Sequence, residues 1–198
     1  LNLFAKKSIP MTAFWVADTA RRFPEIVREM ESAGHETGTH SLYHETVGDS
    51  LFEIPGTYPL LPEEVQPRIK LATDILEDIV GHKVVSWRCP RLFGGTHVTN
   101  ALEELGYECD ATYPMYFYNE QLFPYHPSQE NWTEQGSLNL IEIIQFADMG
   151  MESKDDYGRD KDQWPLYRTQ STEAFIPHIE SFMSYLEKND QSQKPIVL

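Results

Sequence analysis

The sequence predicts an α/β fold organised around parallel strands, in a single domain over residues 1–198. Three observations predict it. Short apolar runs alternate with longer segments whose apolar residues recur at helical spacing. The segments between the runs are long enough for crossover connections, which parallel pairing needs and hairpins do not. The polar residues that could do chemistry follow the strands, on the edge where parallel α/β folds gather ligands. A chain of 198 residues supports one sizeable core rather than two. A β/α barrel and a doubly wound sheet both fit this pattern.

The elements follow in order. Residues 1–7 read as the end of a helix, and Met11–Val16 (MTAFWV) as a buried strand. Pro24–Ala33 is a helix: Pro24 suits a first helical position, Gly34 suits the cap beyond the last turn, and Ile26, Val27, Met30 and Ala33 share a face. His35–Thr39 is a short strand, followed by an irregular stretch, Ser41–Leu61, rich in Gly, Pro and Tyr. Pro62–Val80 is helical, with Ile69, Ala72, Ile75, Leu76 and Ile79 at helical spacing and Gly81 ending it. Lys83–Trp87 is a strand that runs into Arg88-Cys89-Pro90. Val98–Leu105 is a short helix closed by Gly106, and Tyr107–Thr112 a strand.

A long aromatic stretch from Tyr113 to about Trp132 precedes the strand Leu138–Phe146. Residues 147–170 are polar and irregular. Thr172–Lys188 is a helix with Ile176, Ile179, Phe182, Met183 and Leu186 facing inward, and residues 195–198 begin a sixth strand.

Composition narrows the classes of function. Hydrophobic residues make up 40% and charged residues 24%, an ordinary globular mixture. The net charge of −15 has the wrong sign for a nucleic-acid surface and disfavours a polyanionic substrate. No apolar run is long enough for a membrane span. Two cysteines, Cys89 and Cys109, are too few for a disulfide scaffold and read as free thiols, which leaves the redox compartment open.

The strongest chemical signal is His40-Ser-Leu-Tyr-His44. If this segment is helical, a four-residue spacing projects both imidazoles from one face, where they can share an ion. Zinc is a natural occupant, because imidazole suits it and carboxylate can complete the set. The alternative is a pair of loop histidines with ordinary hydrogen bonds. His35 precedes its strand and reads as structural. The second signal is Arg88-Cys89-Pro90, in which an arginine at a strand end, followed by a rigid turn, can present its fork to a carboxylate. The alternative is a surface arginine beside a turn. Asp110 follows a strand in the same way, or serves as a turn residue.

At these residues the chain resembles the polysaccharide deacetylases, the NodB-type family 4 carbohydrate esterases. The segment FPEIVREMESAGHETGTHSLYH resembles the family's second motif, with the metal pair on His40 and His44. The segment WRCPRLFGG resembles the third, R-x-P, and LEELGYECDATY the helix, glycine and strand that follow it. The resemblance implies a distorted (β/α)7 barrel. It implies removal of acetyl groups from an N-acetylated sugar or glycan, chitin-like or peptidoglycan-like. It also implies a divalent metal, best met by Zn2+, held by His40, His44 and an aspartate. Arg88 would serve the catalytic machinery by holding a base aspartate, and Pro90 and Tyr113 would line the substrate. Relatives that open cyclic amides, like an allantoinase, offer a second activity on the same fold. A glycan-binding module that has lost the chemistry is a third reading.

The family's first motif, T-F-D-D, supplies its base and third ligand, and no such pair precedes Met11. Asp18 lacks the surrounding motif. The family's late acid histidine would follow a strand such as the one at 195–198. The expectation is therefore a partial domain, incomplete at both ends. The aromatic stretch, with Tyr113, Tyr116, Phe117, Tyr118, Tyr125, Trp132 and, further on, Trp164, could stack on sugar rings or pack on itself as a lid or an oligomer contact.

Overall fold

A computed structural model of the chain describes residues 2–118, 120–147 and 171–189. They fall into two compact units. The first comprises Leu1–Thr112 with Tyr125–Glu142, and the second Tyr113–Pro124 with the described part of Ile143–Leu198.

The first unit carries a five-stranded sheet: β1 (Thr12–Trp15), β2 (Glu36–Thr39), β3 (Ser86–Trp87), β4 (Cys109–Asp110) and β5 (Ile141–Glu142). Every pairing is parallel and the strands lie in sequence order, each beside its successor. That order separates the two candidate folds. A doubly wound sheet reverses direction at a switch point, whereas successive right-handed crossovers without reversal lay the helices on one side and curl the sheet toward a barrel. The fold is of the α/β class, built on one parallel sheet. The sixth strand expected at 195–198 lies outside the described residues.

Register aligns the strand ends. Trp15 pairs with Thr39, Thr39 with Trp87, Trp87 with Asp110, and Asp110 with Glu142. The next residues along, His40 and Arg88, therefore stand side by side on the C-terminal rim.

The helices are α1 (Asn2–Lys7), α2 (Ala17–Arg22), α3 (Pro24–Ser32), α4 (Pro62–Val80), α5 (Thr96–Leu105) and, in the second unit, α6 (Met115–Tyr118) and α7 (Thr172–Lys188). Of these, α2 and α6 were not legible in the sequence. Helix α4 is the hub of the first unit and packs on α2, α3, α5 and β2. It starts where Pro62 needs no hydrogen-bond donor and Glu64 accepts from the Leu61 N–H at 3.0 Å, and it ends where Gly81 turns left-handed at φ 80°. Its Ile69 joins Trp87, Val98, Leu102 and Leu140 in one core, and its Ala72 and Leu76 join Ala17, Ala20, Val27 and Val84 in another. Each large apolar side chain so buried contributes about 1.5–3 kcal/mol. Leu76→Ala would cost about 2–5 kcal/mol and loosen α4 from α2 and α3.

Two predicted faces are narrower than expected. In α3 only Val27 and Met30 are buried, and Ile26 stands 40% exposed. In α7 Phe182 and Leu186 are buried, while Phe175, rather than the exposed Ile176, joins Phe182 against Phe146.

Candidate metal centre

The segment between His40 and His44 is a bend, not a helix. Ser41 and His44 adopt left-handed backbone angles, φ 62° and 63°. Ser41 Oγ accepts from the His44 N–H at 3.0 Å and donates to Glu45, which also accepts from the Tyr43 N–H at 2.6 Å. This tight turn brings the rings together by a route other than helical spacing. The His40 and His44 ring centroids lie 5.0 Å apart at an interplanar angle of 67°.

Those values suit a shared ion. With metal–nitrogen bonds of about 2.1 Å and a near-tetrahedral angle, two coordinating imidazoles have centroids about 5 Å apart. His40 Nδ1 donates to the Arg88 carbonyl at 2.8 Å. A carbonyl only accepts, so the proton is on Nδ1 and the Nε2 lone pair is free to ligate. Burial, with the charge of His44 and nearby arginines adding to it, pushes the His40 pKa down to about 4, and His44 is lowered as well, chiefly by burial and Arg91. Both rings are therefore neutral near pH 7, as ligands must be. Among the described residues no third histidine, cysteine, aspartate or glutamate joins them. Asp18, on the same rim, is engaged by Arg21 and Arg22 at 2.7 and 2.6 Å.

Arg88 lies partly buried beside this pair. Its Nε donates to the Ala111 carbonyl at 2.9 Å and its guanidinium covers the Phe14 ring at 4.5 Å. Phe14 can lie there because its β2 neighbour is Gly38: a Cβ on Gly38 would sit 2.7 Å from the ring. Among the described residues no carboxylate reaches ion-pair distance of Arg88. Its electrostatic partners are Asp110 and Glu142, buried side by side at the ends of β4 and β5. Thr112 links them, with its N–H to Glu142 at 3.0 Å and its hydroxyl to Asp110. Burial drives the Asp110 carboxyl far above the usual carboxylate range, against the pull of Thr112, Glu142 and Arg88. Burial thus favours the protonated form of Asp110.

Pro90 is buried and opens a short 3-10 turn, Pro90–Leu92. Tyr113 belongs to the second unit, where it is buried and its hydroxyl donates to Glu120 at 3.1 Å. Tyr125 and Trp132 are also buried; Trp132 packs on Gly94 and its carbonyl accepts from the Tyr125 hydroxyl at 2.7 Å. These aromatics present no open face for a sugar ring. Trp164 lies outside the described residues, and the Tyr116 side chain is not described.

Sequence reasoning singled out His40, His44 and Arg88 and missed Phe14, Glu45, Arg91 and Glu142. Glu142 had a signal, since it is a lone acid in the apolar run LNLIEIIQF. Arg91 stood in plain view in WRCPR but carried no spacing cue.

The parallel α/β unit thus carries a histidine pair on its C-terminal rim. A polysaccharide deacetylase family model matches residues 1–109, and the chain belongs to that family. Comparison with the curated proteins gives no match. Among solved structures, a protein described as a polysaccharide deacetylase from Mycobacterium smegmatis is 20% identical with a TM-score of 0.58, covering 94% of this chain and 56% of its own. Another so described, from Pseudomonas aeruginosa PAO1, is 19% identical with a TM-score of 0.62, covering 98% of this chain and 55% of its own. The Puue allantoinase is 17% identical with a TM-score of 0.59, covering 98% and 55%. The chain thus spans a little over half the length of these three structures.

Proposed function

We propose that the protein is a metal-dependent hydrolase that removes N-acetyl groups from an amino sugar or glycan, with His40 and His44 as two of the metal's ligands. The observation that carries this reading is the pair itself: two imidazoles 5.0 Å apart, one oriented by a main-chain carbonyl. A divalent ion such as Zn2+, when bound there, supplies polarisation of the amide carbonyl and activation of water. Arg88 orients the carboxylate of the general base and keeps it ionised by charge pairing. Its own position is fixed by Phe14 and the Ala111 carbonyl. Pro90, buried at the start of the turn after β3, shapes the substrate wall beside Arg88.

The test is acetate release by the full-length protein from chitooligosaccharides and peptidoglycan fragments, with and without a chelator. Chelator-sensitive release, lost in His40→Ala, supports the proposal. No release from either substrate by metal-replete protein sinks it. A second reading, ring opening of a cyclic amide, is supported by the likeness of the fold to the Puue allantoinase. Chelator-insensitive hydrolysis of allantoin would establish it. Glycan binding without turnover would mark a binding module.

A further inference from the structure

We propose that Arg91 is a positioning residue that sets His44 against His40, by clamping the main chain of the bend after β2 to the turn after β3. The inference rests on the reading of the two histidines as metal ligands.

His40 and His44 are anchored differently. His40 follows β2 directly and is held to the Arg88 carbonyl, so strand pairing fixes it. His44 lies four residues out on a bend, and its ring has no such strand beneath it. Its position depends on what holds its main chain. From within, the holder is Ser41 Oγ on the His44 N–H. From outside, it is Arg91, whose Nη1 donates to the His44 carbonyl at 2.9 Å and reaches the Thr46 hydroxyl at 3.4 Å. A third tie, Arg68 on α4 to Glu45 at 3.5 Å, is longer and acts one residue further on.

The backbone shows the same concentration. Five described non-glycine residues have left-handed backbone angles, and four of them, Ser41, His44, Arg91 and Leu92, lie in these two loops. Such angles disfavour side-chain-bearing residues and persist where surroundings enforce them. Here the two strained turns face each other, and the guanidinium of one closes on the carbonyl of the other. The bend could relax on its own; with Arg91 in place, relaxing it would break a charge-assisted hydrogen bond. An arginine that only decorated the surface would not need two left-handed residues to aim it back across a neighbouring loop.

The test uses the full-length protein and three variants, Arg91→Ala, Arg91→Lys and Arg68→Ala. Zinc affinity is measured by competition with a chromogenic chelator, and melting temperature is measured on metal-free samples. Loss of an outer partner of a ligand weakens metal affinity about 10- to 100-fold. We expect about a tenfold loss for Arg91→Ala, partial recovery for Arg91→Lys, which keeps a cationic donor on a shorter, non-planar head, and less than a twofold change for Arg68→Ala. A lower metal-free melting temperature with zinc affinity unchanged would give Arg91 a structural role only and overturn the proposal. If Arg91→Ala does not fold, Arg91→Lys decides: affinity equal to wild type overturns the clamp. Wild-type protein that binds no zinc removes the metal reading and this inference with it, whereas wild type that binds and an Arg91→Ala that binds equally well removes the clamp alone.

Discussion

The imidazole of His40 is hydrogen-bonded to the main chain of Arg88, not to its side chain: Nδ1 donates to the carbonyl at 2.8 Å. The orientation of the imidazole and the chemistry of the guanidinium are therefore separable by mutation. In Arg88→Ala the carbonyl remains, so zinc content should stay within about twofold of wild type. Turnover should fall about 100-fold or more, the range for loss of a group that serves general-base or electrostatic work. Metal analysis beside initial rates checks this, and an Arg88→Ala enzyme with wild-type rates would remove the role given to the guanidinium.

Gly38 keeps that guanidinium in place from a distance. A methyl there meets the Phe14 ring at 2.7 Å, and the ring is what Arg88 lies upon. Gly38→Ala should destabilise the protein by about 1–3 kcal/mol through overpacking. Turnover should drop more than metal affinity. Denaturant unfolding read beside zinc titration tests both halves, and a variant of unchanged stability would mean the ring moves freely.

The carboxyl pair sets a pH dependence of stability. Burial raises the Asp110 pKa in the folded protein above its unfolded value near 3.9. Below that unfolded value both states are protonated. As pH rises through it, the unfolded chain gives up its proton while the folded one retains it, so stability contributed by this group is lost toward neutral pH. Asp110→Asn keeps an acceptor for Thr112 and supplies an N–H toward Glu142. Its melting temperature should match wild type at pH 4.5 and exceed it by about 3 °C at pH 8, the shift expected for roughly 1 kcal/mol in a chain of this size. Parallel melting curves across that range, with no widening gap, would contradict a raised Asp110 pKa.

Neither thiol should react in the folded state. Cys89 is wholly buried, which drives its pKa well up, and burial and the Asp110 charge push Cys109 up to about 12. The thiolate is the reactive form, so it is scarce at pH 8. Iodoacetamide at that pH should label no cysteine in native protein and both in urea, as read by intact mass. Rapid labelling of Cys109 without denaturant would show that β4 opens to solvent.

Much of this was legible in the chain itself. Hydrophobic periodicity and glycine caps located α3, α4, α5 and α7, because a helix that buries one face writes its period into the sequence. The strand positions were legible too, but their lengths were not: the run at 83–87 pairs only at Ser86 and Trp87, since pairing is settled by neighbours distant in sequence. The residue types His40, His44 and Arg88, in that order after two strands, were enough to point to the family. Tertiary structure alone decided that the rings meet across a left-handed bend rather than along a helix, and that the carbonyl of Arg88, just after β3, orients the first of them. It alone placed Arg91 on the second. Hydrogen bonds between residues some 47 positions apart leave no periodic trace, because they are made by the register of two strands and not by any local preference of the chain.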